Sequence, residues 1–444
     1  MKTPFHLKKP SPIQIVIFGF AALILLGAAL LMLPFSTLDG CGASFDDALF
    51  TATSAVCVTG LVVQDTATYW SSFGQAVLLI LIQIGGLGVV TVAAGFTLLS
   101  GRRINLKGRT MMQDALSAPQ MGGIVKLTRK ILLLTFGFEL CGAALLTPVF
   151  CREFGFGSGL WRALFHSVSA FCNAGFDLMG SRGAFSSFTS LAFDPLLNTV
   201  IMLLIVIGGI GFFTWEDLLQ NRLHFHRYRM QTKVILITSG ALILSAALYF
   251  YFFEFSHLDP ASRVLPALFQ SVTARTAGFN TADLASMSEP GQLVFIFLML
   301  VGGSPGSTAG GMKTTTLALL IACVISALRN SEDVHLFSRR IAVASIRHAC
   351  AILSLYLLLF ASAGLVISRV EGLPLLTCLF ETASAVGTVG VTLGITPALG
   401  ALSRVLLIAL MFFGRIGALS LLLAFFSDSH YNFSHLPQEK ITIG

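Results

Sequence analysis

Charge is what this sequence has least of. Asp, Glu, Lys and Arg make up 11% of its 444 residues, against about a quarter in soluble globular chains. With 55% of residues hydrophobic and a mean hydropathy of +0.84, the bulk of the chain cannot face water. Metal-binding and catalytic signatures are also missing. The eight cysteines form no CxxC or CxxH pair, which argues against a zinc site. There is no HExxH, no paired membrane aspartates and no nucleophile motif with a base, so an intramembrane enzyme is not expected. Glu139 and the scattered histidines do not make a site. Cys41 and Cys151 are both candidates for the outer side, and their pairing stays open.

Long apolar runs are abundant. A helix needs roughly 20 apolar residues to cross the hydrocarbon core. Pro12 to Phe35, Gln75 to Ser100, Lys130 to Phe150, Leu196 to Phe213, Val234 to Phe253, Gln292 to Val301 continued by Thr314 to Leu328, Ala349 to Ser368, and Ala401 to Phe426 qualify, giving eight expected crossings. Lys8 and Lys9 precede a first run too long for a cleaved signal's core. The net charge of +7 could point to nucleic acid, but its distribution does not. Basic residues gather in alternate loops: Arg102, Arg103, Lys107, Arg109, Lys126, Arg129 and Lys130; Arg222, Arg227, Arg229 and Lys233; Arg329, Arg339, Arg340 and Arg347. The intervening loops are mixed or acidic, as with Asp39, Asp65, Asp177, Asp283 and Glu371. This positive-inside pattern predicts a multi-pass plasma-membrane protein with both termini cytoplasmic. Contact with anionic membrane lipid is a further use for the basic loops.

The outer loops contain one segment four times over: Ala48 to Gly60 (ALFTATSAVCVTG), Ala163 to Gly175 (ALFHSVSAFCNAG), Ala267 to Gly278 (ALFQSVTARTAG, one residue shorter) and Cys378 to Gly390 (CLFETASAVGTVG). Their final glycines recur about every 110 residues. Each segment lies between two apolar runs, so the unit is span, re-entrant segment, span. Every unit starts and ends inside, which makes the copies parallel. The expected fold is an all-α membrane protein of four parallel M1–P-loop–M2 repeats, eight transmembrane helices and four re-entrant pore helices around one pore. The expected units are 1–105, 106–220, 221–340 and 341–430, with a cytoplasmic tail at 431–444. Near the middle of each second span stands a small-residue cluster: Gly85-Gly86-Leu87-Gly88, Gly208-Gly209-Ile210-Gly211, Gly302-Gly303-Ser304-Pro305-Gly306 and Gly414-Arg415-Ile416-Gly417. In the first two repeats this reads as close helix packing.

A segment this short reads as a helix followed by an extended stretch. Non-helical backbone at membrane depth is tolerated only where it is buried in protein or lines water. Four such stretches around one axis can aim carbonyl oxygens inward and replace a cation's hydration shell. The negative end of each short helix also faces the pore. Glycine takes positive φ without penalty and leaves the axis clear. The small pairs Ser54/Ala55, Ser169/Ala170, Thr273/Ala274 and Ser384/Ala385 suit tight packing behind the stretch.

The motifs SAVCVTG, SAFCNAG, TARTAG, SAVGTVG, GGSPGSTAGGMKTTT and FFGRIGALSL resemble the pore subunits of the Ktr/Trk/HKT potassium-transporter superfamily, most of all its KtrB branch, over nearly the whole chain. The resemblance implies that Gly60, Gly175, Gly278 and Gly390 are filter glycines, flanked by the carbonyls of Val58 and Thr59, Asn173 and Ala174, Thr276 and Ala277, and Thr388 and Val389. Some plant relatives carry serine at the first position and favour sodium; Gly60 therefore points to potassium as the transported ion. Sodium remains open as a coupled or second ion, and no covalently bound cofactor is implied. The resemblance also implies a homodimer on a cytoplasmic, KtrA-like, nucleotide-binding regulatory ring. The segments Arg102 to Lys130 and Arg222 to Lys233 are candidates to meet that ring, and Ser427 to Gly444 to lie at the dimer seam.

The second span of the third unit is interrupted by Gly302, Gly303, Ser304, Pro305, Gly306, Gly310 and Gly311. In a helix interior each Gly costs about 1 and Pro about 3 kcal/mol, so the segment is expected to be unwound. It nearly spells a phosphate loop, but Met312 spoils the spacing before Lys313 and Thr314 and no strand precedes it. By resemblance it is instead an intramembrane gate beneath the filter, spanning 302–316 and including Lys313. Arg415 stands where other repeats have glycine. A charge at this depth faces the bundle interior and needs a partner. It is expected to donate to loop carbonyls and to raise an electrostatic barrier, the structural alternative being an ion pair with Glu139. Arg275 is expected to point away from the ion path toward Asp283 or Glu381. His166 and Glu381 are expected to cap or pack. The competing functions are a secondary transporter of another small solute, which would favour inverted repeats, and a less selective Na+/K+ transporter.

Overall fold

The computed structural model describes residues 12–99, 108–110, 112–113, 122–222, 224–331 and 333–417. Lys8, Lys9, Arg102, Arg103, Lys107, the end of the last apolar run and the whole of Ser427 to Gly444 lie outside the described residues. Among the described residues, four helices are by themselves long and apolar enough to cross a membrane: α1 (Pro12–Leu31), α5 (Ile124–Phe154), α9 (Met230–Tyr249, running on as a π turn to Glu254) and α13 (Val343–Glu371). Each turns large apolar side chains outward, among them Leu25, Leu140, Leu244 and Leu358. The interior holds the hydroxyl-rich segments instead. This is the arrangement expected when lipid, not water, is the outer solvent.

Each long helix is followed by a short buried one: α2 (Phe45–Val56), α6 (Phe156–Phe171), α10 (Pro260–Thr273) and α14 (Leu375–Gly387). The first is started by Ser44, whose hydroxyl accepts from the Asp47 amide. A third helix then returns: α3 (Ser72–Leu87), α7 (Pro195–Gly209), α11 (Glu289–Leu300) and α15 (Ala401–Ile416). Side-chain oxygens of Ser71, Asp194 and Ser288 accept from amides in the first turn of α3, α7 and α11, satisfying donors the helix itself leaves free.

These returning helices do not continue straight. The chain bends by 98° between α3 and α4 (Val89–Leu99), and by 99° between α7 and α8 (Phe212–Asn221). The hinges are Gly88 at φ 84° and Gly211 at φ 94°, a region closed to most side chains. The expectation of two continuous crossings with glycines serving only close packing is corrected here. Gly85 and Gly86 do pack closely, under Val56 and Cys172, but Gly88 and Gly211 break the helix. In the third unit α11 ends at Leu300 and helix α12 (Thr314–Leu328) begins 14 residues later, leaving the loop expected from its glycines. Gly417, at φ 93°, ends α15 in the same way. A two-residue-per-strand hairpin, β1 (His335–Leu336) with β2 (Arg339–Arg340), precedes α13.

Candidate functional site

The four stretches that follow α2, α6, α10 and α14 share one backbone pattern. Val58, Asn173, Thr276 and Thr388 have φ of 57°, 59°, 67° and 52°. Two residues later Gly60, Gly175, Gly278 and Gly390 are again positive, at 94°, 68°, 87° and 95°. Such alternation turns successive carbonyls toward one side of the strand, where an ordinary β-strand would alternate them. Positive φ at a β-branched residue is strained, and three of the four leading positions are Val or Thr. The serine or threonine of each small pair pins the turn. The Gly60 and Gly390 amides donate to Ser54 Oγ and Ser384 Oγ at 3.0 Å, while Ser169 Oγ and Thr273 Oγ1 donate to the Phe176 and Phe279 carbonyls at 2.8 and 2.7 Å. These three serines and Thr273 were expected only to pack; their hydroxyls also hydrogen-bond the stretch that follows.

The four stretches close on one another. A Cβ on Gly60 would stand 2.5 Å from the Ala174 oxygen, one on Gly175 2.7 Å from Ala277 oxygen, and one on Gly278 2.5 Å from Val389 oxygen. One on Gly390 would run into the Thr59 oxygen, which completes the circuit. Thr59, Ala174, Ala277 and Val389 are all fully buried. The sequence-expected filter residues are therefore brought together, each glycine facing the carbonyl just before its neighbour's glycine.

Above the ring is a small vestibule of about 50 Å³ lined by the four glycines and by Asp65 and Asp177. Asp65 is held by the amides of Ala67, Thr68 and Phe185. Burial pushes the Asp177 carboxyl up to about 6, the Met179 amide opposing, Asp65 adding, and Arg162 and Ser187 opposing. The charged form is present above that value and is lost as pH falls through it. Occupancy of the vestibule by a monovalent cation is thus expected to fall roughly twofold to fivefold between pH 7.5 and 5, through the lost attraction. Asp177→Asn should flatten the profile; an unchanged slope in that variant would remove Asp177 from the effect.

Below the ring lies the loop between α11 and α12. Its backbone is stitched to the bend of the second unit and to the last turn of α15: Ser304 N to Gly209 O at 2.9 Å, Phe212 N to Gly306 O at 2.7 Å, and Gly311 N to Gly414 O at 3.3 Å. Gly302 and Gly310 press together, and Gly303 sits against Ala309. Ser304 Oγ and Thr314 Oγ1 are 3.1 Å apart, and Lys313 Nζ donates to the Ala309 and Gly310 carbonyls at 2.7 and 3.3 Å. Arg415 donates through Nη1 to the Thr308 carbonyl, and through Nη2 to Gly85 O at 2.5 Å and Gly86 O at 3.0 Å. Its planar fork joins the loop to the break in the first unit. Glu139 is bound elsewhere, by Gln83 Nε2 at 3.3 Å. A cavity of about 230 Å³ opens beneath, lined by Arg415, Lys313, Ser307, Gly306, Phe212 and Phe20 among others.

Arg275 corrects an expectation. Its Nη2 donates to Ser239 Oγ at 3.2 Å, on α9. Asp283 instead accepts from the Ala285 amide, and Glu381 from Thr392 and Thr396. His166 packs as expected, stacked on Phe150 at 4.8 Å and accepting from the Leu178 amide. Cys41 and Cys151 are free thiols.

The sequence matches the TrkH family, described as a cation transport protein, over residues 3–435. The chain belongs to this family. Among relatives of this TrkH-family chain, the Ktr system potassium uptake protein B of Bacillus subtilis is 40% identical over 443 residues, 97% of each chain. The potassium/sodium uptake protein NtpJ of Enterococcus hirae is 37% identical over 454 residues, 98% of each. The crystal structure of the potassium transporter TrkH from Vibrio parahaemolyticus superposes with a TM-score of 0.73 at 20% identity, over 96% of this chain and 86% of that one. At that identity the likeness is one of fold, and it is the fold of a membrane-embedded TrkH-family protein.

Proposed function

We propose that the chain takes up potassium across the plasma membrane through the ring of backbone carbonyls at Gly60, Gly175, Gly278 and Gly390, and that the loop 302–316 with Lys313 and Arg415 gates the path beneath. The observation that carries this reading is the closed circuit of glycine-to-carbonyl approaches, with a vestibule on one side and the loop and cavity on the other. Carbonyl rings of this kind substitute for a cation's water. In this reading the chain is four parallel span–pore helix–span units with eight crossings, in which the bent pairs and the interrupted third unit each count as one. The names of the relatives support potassium as the ion, and that of the Enterococcus protein keeps sodium as a second one. A homodimer seated on a cytoplasmic nucleotide-binding ring fits a family member whose gate must be moved from inside. In this reading basic residues such as Arg227, Arg229 and Lys233 face that ring.

The test is flux from proteoliposomes across potassium, rubidium, sodium and lithium, for wild type and Gly60→Ser. Potassium and rubidium are expected to exceed sodium, and Gly60→Ser to weaken the discrimination, because any Cβ at φ 94° crowds the Ala174 carbonyl. Absence of flux for every cation, with and without a regulatory subunit, would favour a transporter of another solute.

A further inference from the structure

Thr308 is gripped at three atoms. Its carbonyl accepts from Arg415 and its amide donates to Gly208 O at 3.3 Å. Its hydroxyl, fully buried, stands 3.1 Å from Phe171 O and 3.2 Å from Asn173 Oδ1. Asn173 is the left-handed residue at the base of the second strand. Its Nδ2 in turn donates to Thr276 Oγ1 at 3.2 Å, and that hydroxyl donates to Arg275 O at 2.6 Å. One chain of hydrogen bonds therefore runs from the loop into the bases of strands two and three. Gly208 roofs it: a Cβ there would stand 2.9 Å from Asn173 Oδ1 and 3.0 Å from Thr308 Oγ1. Among the described residues, strands four and one have no equivalent. The hydroxyls of Thr388 and Thr59 are buried without a hydrogen-bond partner among the described residues, and Gly310 of the loop approaches the Thr388 side chain closely.

We propose that the Thr308–Asn173 hydrogen bond is a latch through which the loop and ion binding in the ring bias one another, with Thr308 acting as a positioning residue. The inference rests on the filter-and-gate reading above. A buried side-chain bond that exists only while the loop is seated favours one geometry of strand two. An ion that prefers that geometry must, by reciprocity, favour the seated loop. When the loop leaves, Asn173 loses its partner, the base of strands two and three relaxes, and the ion is held less tightly as its inward path opens. The sequence shows no sign of this pair, whose members lie 135 positions apart.

The test is hydrogen–deuterium exchange of the loop amides 302–313 in the purified full chain, in potassium and in sodium, beside potassium affinity from ion-dependent thermal stabilisation. In wild type, potassium is expected to slow exchange of the loop relative to sodium. Thr308→Val keeps the shape and removes the donor. It should abolish the ion dependence of exchange and weaken potassium binding about threefold to tenfold, the worth of one hydrogen bond. Thr308→Ser should retain both properties, which a packing role for the methyl group would not predict. If Thr308→Val does not fold, Thr308→Ala supplies the same measurement. Undiminished potassium-dependent protection without the hydroxyl would overturn the latch. So would a wild-type loop indifferent to potassium although potassium binds. If the wild type does not bind potassium at all, the filter reading itself fails, and the latch with it.

Discussion

Arg415→Ala is expected to raise potassium flux in the absence of any regulator by about tenfold or more. The guanidinium holds the Thr308 carbonyl of the loop and the Gly85 and Gly86 carbonyls of the first unit in one fork. A hydrogen bond from a charged group contributes about 1.5–3 kcal/mol, and every 1.4 kcal/mol is tenfold in an equilibrium. Losing even one shifts the loop strongly away from its seated position. The substitution also removes a positive charge from the wall of the cavity beneath the ring, a charge that in the proposed reading opposes a cation's passage. Arg415→Lys is expected to resemble alanine more than wild type in holding the loop, because an ammonium lacks the planar fork that reaches both sites. Flux into proteoliposomes, with thermal unfolding as the check on folding, decides the matter. Flux and regulation unchanged in Arg415→Ala would exclude a gating role and leave Arg415 as a structural staple.

Gly390→Ala should reduce uptake at least about a hundredfold while leaving helical content intact. Two separate costs meet at this position. The backbone is at φ 95°, where a Cβ costs about 1–2 kcal/mol. The new atom would also run into the Thr59 carbonyl and stand 2.8 Å from the Gly60 Cα, so the strand must move, and the proposed filter oxygens with it. Gly394→Ala separates the two costs. Its φ is 93°, yet nothing lies within 4 Å of a Cβ there. That variant is expected to lose about 1 kcal/mol of stability and to keep its flux. Equal losses of transport in both would mean that backbone strain, not crowding of the ring, is what matters. Wild-type uptake by Gly390→Ala would sink the carbonyl-ring reading altogether.

Some of the site was legible because its chemistry is local. A run such as GGSPGSTAGG cannot be helix, whatever surrounds it, and Leu300 and Thr314 do bound a loop. Arg415 was legible for a similar reason, since a lone charge in an apolar run must find oxygen. Partners were harder to read. Arg275 was matched to the acids nearest in its own and the following unit, but the side chain reaches Ser239 on the preceding long helix. Direction and distance across helices are not encoded in spacing along the chain. The breaks at Gly88 and Gly211 were also missed. Close packing and helix breaking use the same residue, and only the sign of φ distinguishes them. Phe212 donating to Gly306 shows what holds one of those bends in place, a contact between units that neither unit announces.

The amino-acid sequence by itself determined that this chain lives in a membrane, that a hydroxyl-rich segment ending in glycine recurs four times, and that the third unit is interrupted. Each follows from composition, repetition or backbone propensity, which are properties of the chain read in order. Tertiary structure alone decided that the four glycines face one another's carbonyls in a closed circuit. It alone decided that the bend of the second unit and the last turn of α15 are hydrogen-bonded to one loop, that Arg415 ties that loop to the first unit, and that Thr308 links it to the ring. Those relations join residues 94 or more positions apart. They depend on how the helices of different units pack, so no local pattern can carry them.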